Sequence, residues 1–269
     1  RVGRVVAAVQ INGRGPFRFI LDTGANRSAM SQRTLETLGL TPSRQSLVHG
    51  ITGSAIMPLV LVDELRAGEL RFKDRGIAVL PDAVFAGVDG ILGIDCLQHA
   101  RVDIDFEEDR VTIGRSGKSA ARDRYVVRAR VRHRGLLLIP AKVGRIAVQA
   151  IIDTGAERSL GNEALRAALT EKRRRELEGQ TTSVIGATAQ VAEGFSFVAP
   201  DIDFGGGAHV GNLTVTFGDF HVFKVWSLLD EPALVVGMDV LGTLPEMTID
   251  YPKRQFQLKI TRTSINQPY

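Results

Sequence analysis

The 269-residue chain contains a single cysteine, Cys96, so no internal disulfide can form and the redox compartment is left open. Cys96 follows Asp95 in an apolar stretch and reads as a buried core thiol. There is no Cys-x-x-Cys and no His-Glu-x-x-His, and the five histidines show no ligand spacing, so neither a metal nor a cofactor is expected. No apolar run approaches the roughly 18 residues that a membrane helix needs, so no transmembrane segment is expected. The first residues do not read as a signal peptide, and the chain opens at Arg1 rather than methionine, which leaves room for a segment upstream. Charge of one sign is also scarce: the net charge is +4, too modest a surplus to call for a nucleic-acid partner.

Hydrophobic residues at 44% and charged residues at 24% are ordinary globular values, and the length suits one large domain or two smaller ones. An internal repeat favours two. Residues 22–28 read Asp-Thr-Gly-Ala-Asn-Arg-Ser, and residues 153–159 read Asp-Thr-Gly-Ala-Glu-Arg-Ser. Each copy follows a strand-like run, Phe17–Leu21 and Ala147–Ile152. Each is followed by two aliphatics, a glycine and an Asp two residues on: Ile91-Leu92-Gly93-Ile94-Asp95 and Val235-Val236-Gly237-Met238-Asp239. Each half closes on an Ile-Asp-aromatic step, Ile104-Asp105-Phe106 and Ile249-Asp250-Tyr251. The expected organisation is a lobe over residues 1–114, a linker over 115–123 and a second lobe over 124–269. Many short strands between Gly and Pro make both lobes mostly β. Short helices are expected after each repeat: one from Ser31 to a Gly39 stop, and a longer one capped by Asn162, running through Leu177 to Gly179.

The repeated aspartates carry the chemistry. Hydrolysing a peptide bond without a metal or a nucleophilic side chain requires activating water directly. Two carboxyls can do this if they are held so close that they share one proton. Equivalent loops of a duplicated fold, meeting on a pseudo-twofold axis, would bring Asp22 and Asp153 together. Gly24 and Gly155, lacking Cβ, allow a sharp turn and close approach of backbone to carboxylate. Thr23 and Thr154 have the chemistry to hydrogen-bond across the axis, and the aliphatic-aliphatic-Gly segments would pack beneath the loops and stiffen them.

The Asp-Thr-Gly motif followed by a hydrophobic-hydrophobic-Gly segment resembles the aspartic peptidase clan of pepsins and retroviral-type peptidases. That resemblance implies a two-lobed, all-β, acid-protease-like fold of closed barrels with short helices. It implies an aspartic endopeptidase acting on peptide or protein substrates, with Asp22 and Asp153 as the catalytic pair. Thr23 and Thr154 match the inter-lobe grip, and Gly24, Ala25, Gly155 and Ala156 match the substrate-facing loop. Alanine after the glycine is similar to the retroviral-type branch rather than to pepsins. Because one chain supplies both aspartates, a monomer is implied, and bacterial relatives of this type favour a periplasmic or secreted location. The same fold also admits a non-catalytic peptide clamp. Two flaps are expected, at His49–Gly53 and Val184–Thr188, with Gly50, Ile51, Ile185 and Gly186 over the substrate; neither contains the tyrosine of the pepsin flap. A serine after the glycine would lower the pKa of the neighbouring carboxyl, so alanine at both positions predicts a mildly acidic optimum.

Other features have plainer readings. Arg27 and Arg158 read as surface charges, with a buried ion pair to Asp95 and Asp239 as the alternative. Ser28 and Ser159 read as local structural hydroxyls. The longer second-lobe helix and the Gly205-Gly206-Gly207 loop have no counterpart in the first lobe, which makes them candidates for setting substrate preference. Arg122, Arg124, Arg128, Arg130, Arg132 and Arg134 all fall at even positions. A single strand would align them on one face, opposite the acidic series Asp103-Asp105-Glu107-Asp109 or an anionic partner.

Overall fold

The structure is a computed structural model that describes residues 3–117, 123–132, 135–173 and 179–259. The first half contains β1 (Val6–Ile11), β2 (Arg14–Leu21), β3 (Ala29–Ser31), α1 (Gln32–Leu38), β4 (Arg44–His49), β5 (Ser54–Ala67), β6 (Leu70–Leu80), β7 (Gly90–Leu92), α2 (Ile94–Leu97), β8 (Ala100–Asp105) and β9 (Arg110–Arg115). The second half begins with β10 (Arg124–Arg128), β11 (Arg130–Arg132), β12 (Leu136–Val143), β13 (Ile146–Ile152), β14 (Leu160–Gly161) and α3 (Glu163–Arg173). It continues with β15 (Gln180–Ile185), β16 (Val191–Val198), β17 (Ile202–Asp203), β18 (His209–Val210) and β19 (Thr214–Phe217). It ends with α4 (His221–Val225), β20 (Ala233–Val236), α5 (Met238–Leu241), β21 (Glu246–Asp250) and β22 (Gln255–Lys259).

The expected two-lobed, all-β, acid-protease-like fold is present. In the first lobe the strand order is β1-β2-β7-β3-β6-β5-β4. A further pairing of β1 with β5, through Val9↔Ala67 and Ile11↔Leu65, closes six strands into a barrel. The second lobe repeats the order as β12-β13-β20-β14-β19-β16-β15. Its barrel does not close in the same way. The fourteen-residue β5 runs unbroken, whereas its counterpart β16 stops at Val198, just before Pro200, and resumes only as β17, which pairs with β12.

Side-chain alternation builds the cores. β1 buries Ala7, Val9 and Ile11 and exposes the residues between, and β2, β5 and β6 supply Phe19, Leu21, Val60, Leu65 and Ile77 to the same core. Local signals read from sequence act as expected in the helices. Ser31 caps α1 through its Oγ, which accepts the Thr34 N–H at 3.0 Å, and Gly39 ends it at φ 67°. Asn162 Oδ1 accepts the Leu165 N–H at 2.9 Å at the start of α3, while its Nδ2 donates to Leu228 and Glu231 carbonyls. The predicted remainder of that helix, residues 174–178, lies outside the described residues.

A five-stranded sheet, β10-β22-β21-β8-β9, joins the halves. β8 and β21, the two Ile-Asp-aromatic strands, pair antiparallel through Ile104↔Met247 and Val102↔Ile249. Arg101 bridges Asp103 at 2.8 Å and Asp250 at 3.6 Å, and Arg124 and Lys259 both pair with Glu246. This sheet corrects the reading of one continuous arginine strand. The chain leaves the sheet after Arg128, where the Ala129 N–H donates to the Arg254 carbonyl, and Arg130–Arg132 pair instead with β12. The strands β21 and β22 also separate β10 from the acidic β8, and among the described arginines of the series only Arg124 reaches across toward Asp103. Arg122 and Arg134 lie outside the described residues.

Among the described residues no helix is long and apolar enough to cross a membrane. No group of three or more His, Cys, Asp or Glu side chains gathers there in a way that could hold a metal ion.

Candidate active site

Each Asp-Thr-Gly loop leaves the end of an inner strand and is pinned from below. The Asp22 N–H donates to the Leu92 carbonyl at 3.0 Å, and the Asp153 N–H donates to the Val236 carbonyl at 3.1 Å. The next turn of each supporting segment points back up: the Ile94 N–H donates to the Ala25 carbonyl, and the Met238 N–H to the Ala156 carbonyl, both at 2.8 Å. Gly93 and Gly237 allow this passage. A Cβ on Gly93 would fall 2.7 Å from the Arg27 carbonyl carbon, and one on Gly237 would fall 2.7 Å from that of Arg158.

Serine, not arginine, ties each loop to its support. Ser28 donates to Asp95 Oδ1 from its N–H at 2.9 Å and from Oγ at 2.7 Å, and the same Oγ accepts the Gly93 N–H at 3.0 Å. Ser159 repeats the arrangement with Asp239 and Gly237 at 2.8, 2.7 and 3.0 Å. The alternative of buried Arg27–Asp95 and Arg158–Asp239 pairs is therefore corrected, because both carboxylates already have short partners and both arginines are exposed. Burial lifts the Asp95 carboxyl above its ordinary range despite the Ser28 hydrogen bonds and the nearby Arg27 charge. Burial, with the adjacent Asp95, also pushes the Cys96 thiol up to about 12, so it is an inert core thiol.

The threonines cross the axis. The Thr23 N–H donates to Thr154 Oγ1 at 3.2 Å, and the Thr154 N–H donates to Thr23 Oγ1 at 3.1 Å. Each hydroxyl in turn donates to the opposite strand, Thr23 to the Ile152 carbonyl at 2.6 Å and Thr154 to the Leu21 carbonyl at 2.7 Å. Both side chains are fully buried, so these reciprocal bonds fix the separation of the loops away from bulk solvent.

The grip brings the carboxyls together. A Cβ on Gly24 would lie closer than 3.0 Å to all three carboxyl atoms of Asp153, and one on Gly155 equally close to those of Asp22. Each carboxyl thus occupies the space left by the other loop's glycine, and the two are close enough for each to act on the other's proton. Asp22 Oδ1 accepts the Gly24 and Ala25 N–H groups at 2.9 and 2.8 Å. Asp153 Oδ1 accepts those of Gly155 and Ala156 at 2.9 and 3.1 Å. One oxygen of each is held by amides, which leaves Oδ2 for the partner and for a ligand. Burial raises the Asp22 carboxyl above the usual range against those amide bonds. Burial, and then the Asp22 charge, holds Asp153 well above it. Tyr251, whose buried hydroxyl has no hydrogen-bond partner among the described residues, is pushed up by burial and by both aspartates.

The pair lies in a cleft of about 1200 Å³. Two hairpins border it, β4–β5 turning at residues 50–53 and β15–β16 turning at 186–190, and Gly50, Ile51, Ile185 and Gly186 all line it. The hairpin tips touch: Thr52 Oγ1 donates to the Gln190 carbonyl at 2.7 Å, and Gln190 Nε2 donates to the Ser54 carbonyl at 3.3 Å. His49 Nδ1 and His221 Nε2 stand 3.1 Å apart, so the first hairpin also leans on α4. Burial and the neighbouring His49 and Lys224 charges lower the His221 pKa.

Sequence reading missed the wall that α4 builds, from which Val222, Val225 and Trp226 face the cleft. The lone tryptophan was the available signal. Among the described residues, neither α3 nor Gly205–Gly207 borders the cleft, and Gly205 and Gly206 lie against Tyr125 instead, which corrects the reading of these described segments as candidates for substrate preference. No curated protein matches the chain. Residues 7–96, which run from β1 into α2 and include the first Asp-Thr-Gly loop, match the model of the aspartyl protease family.

Proposed function

We propose that the protein is an aspartic endopeptidase in which Asp22 and Asp153 act as a catalytic pair. The observation that carries this reading is the mutual fit of each carboxyl over the other loop's glycine, on the floor of a cleft bordered by two hairpins. With each Oδ1 tied to amides, the Oδ2 atoms share one proton and hold a water. The ionised carboxyl takes a proton from that water as its oxygen attacks the scissile carbonyl carbon. The protonated carboxyl donates to the carbonyl oxygen and stabilises the developing charge. A proton then passes to the amide nitrogen, the C–N bond breaks, and an amine and a carboxylic acid leave. Thr23 and Thr154 position the pair. Gly24, Ala25, Gly155 and Ala156 line the substrate's path, with Gly50, Ile51, Ile185 and Gly186 above it.

Incubating the intact protein with a mixed peptide library and reading new termini by mass spectrometry tests the reading. Internal cleavage is expected, with specific activity constant on dilution to nanomolar protein, because one chain supplies both aspartates. Absence of cleavage from pH 3 to 8 would overturn it. Loss of activity in proportion to dilution would show that the site is built between chains.

The pH dependence follows from the raised carboxyls. The singly protonated pair is the working form, so the upper limb of kcat/KM against pH reports loss of the shared proton. That limb is expected above the ordinary aspartate range, giving a mildly acidic optimum. Stability has the matching sign. The native pair binds more protons than the unfolded chain between the ordinary and the raised values, so its contribution falls as pH rises through that window. Melting curves of wild type and Asp153→Asn should therefore converge at low pH, with the wild type losing ground as pH rises. An upper limb within the ordinary carboxylate range, together with parallel melting curves, would contradict this.

A further inference from the structure

Arg27 and Arg158 occupy the same step of the two repeated loops, and their surroundings assign them a task that the chemistry at the aspartate pair leaves open. The backbone is immobilised on both sides of each: Gly93 and Gly237 press on the two arginine carbonyls, and the following Ser28 and Ser159 are fully buried on Asp95 and Asp239. With the serines turned inward, the arginine side chains are turned out, and both are exposed and line the cleft. Neither forms an ion pair among the described residues, because the carboxylates beneath them are engaged by serine.

The other charges along the cleft offset them only in part. Arg4 is paired with Glu157 at 3.0 Å. On the first lobe, Arg27 Nη1 lies 3.6 Å from the position a Cβ on Gly76 would take, beside Arg75, whose guanidinium sits 5.7 Å over the Phe72 ring. Arg75 also lines the cleft, so two guanidinium groups share this end with two carboxylates: Asp74, which is exposed, and Asp95, which is half-buried, held by Ser28 and close enough to Arg27 to feel its charge. In the second lobe, Arg158 is the one arginine among the described residues that line the cleft. Between the two ends the cleft is apolar, with Ala29, Ala78 and Ile91 on one side and Leu160, Val222 and Trp226 on the other.

We propose that Arg27 and Arg158 are specificity-determining residues, and that the cleft takes peptides with apolar residues at its centre flanked on both sides by Asp or Glu. A planar guanidinium binds a carboxylate in a bidentate fork, and rigid backbone beneath it limits the entropy lost on binding. The first-lobe side, with Arg75 beside Arg27, has the stronger preference.

This inference rests on the peptidase reading, and the experiment separates the two. Three peptides with one apolar centre and Glu, Gln or Lys flanks are compared by kcat/KM with wild type, Arg27→Gln, Arg158→Gln and Arg27→Lys. Their binding to intact Asp153→Asn protein, with and without Arg27→Gln, is followed by fluorescence anisotropy. The Glu peptide is expected to be cleaved about tenfold better than the Gln peptide at low salt, the gap narrowing as salt screens it. Arg27→Gln should remove most of that gap while leaving turnover of the Gln peptide unchanged, and Arg27→Lys should restore part of it. Equal cleavage of Glu and Gln peptides by wild type would overturn the inference and leave the peptidase reading standing. So would an Arg27→Gln loss that is the same for both peptides, which is the mark of a structural role. If nothing is cleaved but the Glu peptide binds better in an Arg27-dependent way, the peptidase reading fails and the charge recognition holds.

Discussion

Asp22→Asn and Asp153→Asn are each expected to lower kcat/KM by about 10³-fold or more while leaving the fold intact. Asparagine keeps the volume of aspartate and an Oδ1 that accepts the same amides, Gly24 and Ala25 on one side and Gly155 and Ala156 on the other. The substitution therefore removes titration and little else. A pair that shares one proton loses its function when either member can no longer exchange it, so the double variant should be no worse than the worse single one. Melting temperatures should hold or rise, since the repulsion within a buried acidic pair has been relieved. Circular dichroism melts and peptide kinetics on the three variants check all of this. A few per cent of residual activity in either single variant would remove that residue from the proposed pair.

Gly155→Ala carries the second large effect, and it comes from one methyl group. The new Cβ would lie within 3.0 Å of every carboxyl atom of Asp22. Asp22 has little room to retreat, because two loop amides hold its Oδ1 and the Leu92 carbonyl holds its N–H. The φ of Gly155 is outside the left-handed region, so alanine adds crowding without backbone strain. Prising the loops apart should cost about 1–3 kcal/mol of stability, and kcat/KM should fall by about 10²-fold because the shared proton depends on that separation. Gly39→Ala is the control. There φ is +67° with nothing within 4 Å, so it should lose about 1 kcal/mol through strain alone and keep its activity. Unchanged melting and kinetics in Gly155→Ala would mean that the loops are not locked together as described.

The flap hairpins have a consequence for access. Their tips meet through Thr52, Ser54 and Gln190, and the first also rests on α4 through His49 and His221. A peptide must part these contacts to enter, together with the Val222 N–H bond to the Ile51 carbonyl and the packing of Ile51 beside α4.

What the sequence by itself determined was local or repeated. The period of the Asp-Thr-Gly motif marked two equivalent loops, and alternating apolar residues marked the strands that lead into them. Ser31, Gly39 and Asn162 marked helix ends because a cap is a contact over three or four residues. The tertiary structure decided everything that depends on partners far along the chain. Ser28 looked like a local hydroxyl, yet its partner is Asp95, 67 residues away, and that bond takes the place of the alternative Arg27–Asp95 ion pair and leaves the arginine exposed along the cleft. The even-numbered arginines suggested one strand, but the sheet that accepts β10 is built by β22, and β11 found a different edge. Closure of the first barrel through β1 and β5, and its failure in the second at Pro200, depended on which strand edges came within reach. The approach of Asp22 to Asp153 belongs to the same class. It is set by threonine bonds across 131 residues, and such contacts form only once both lobes have folded and met.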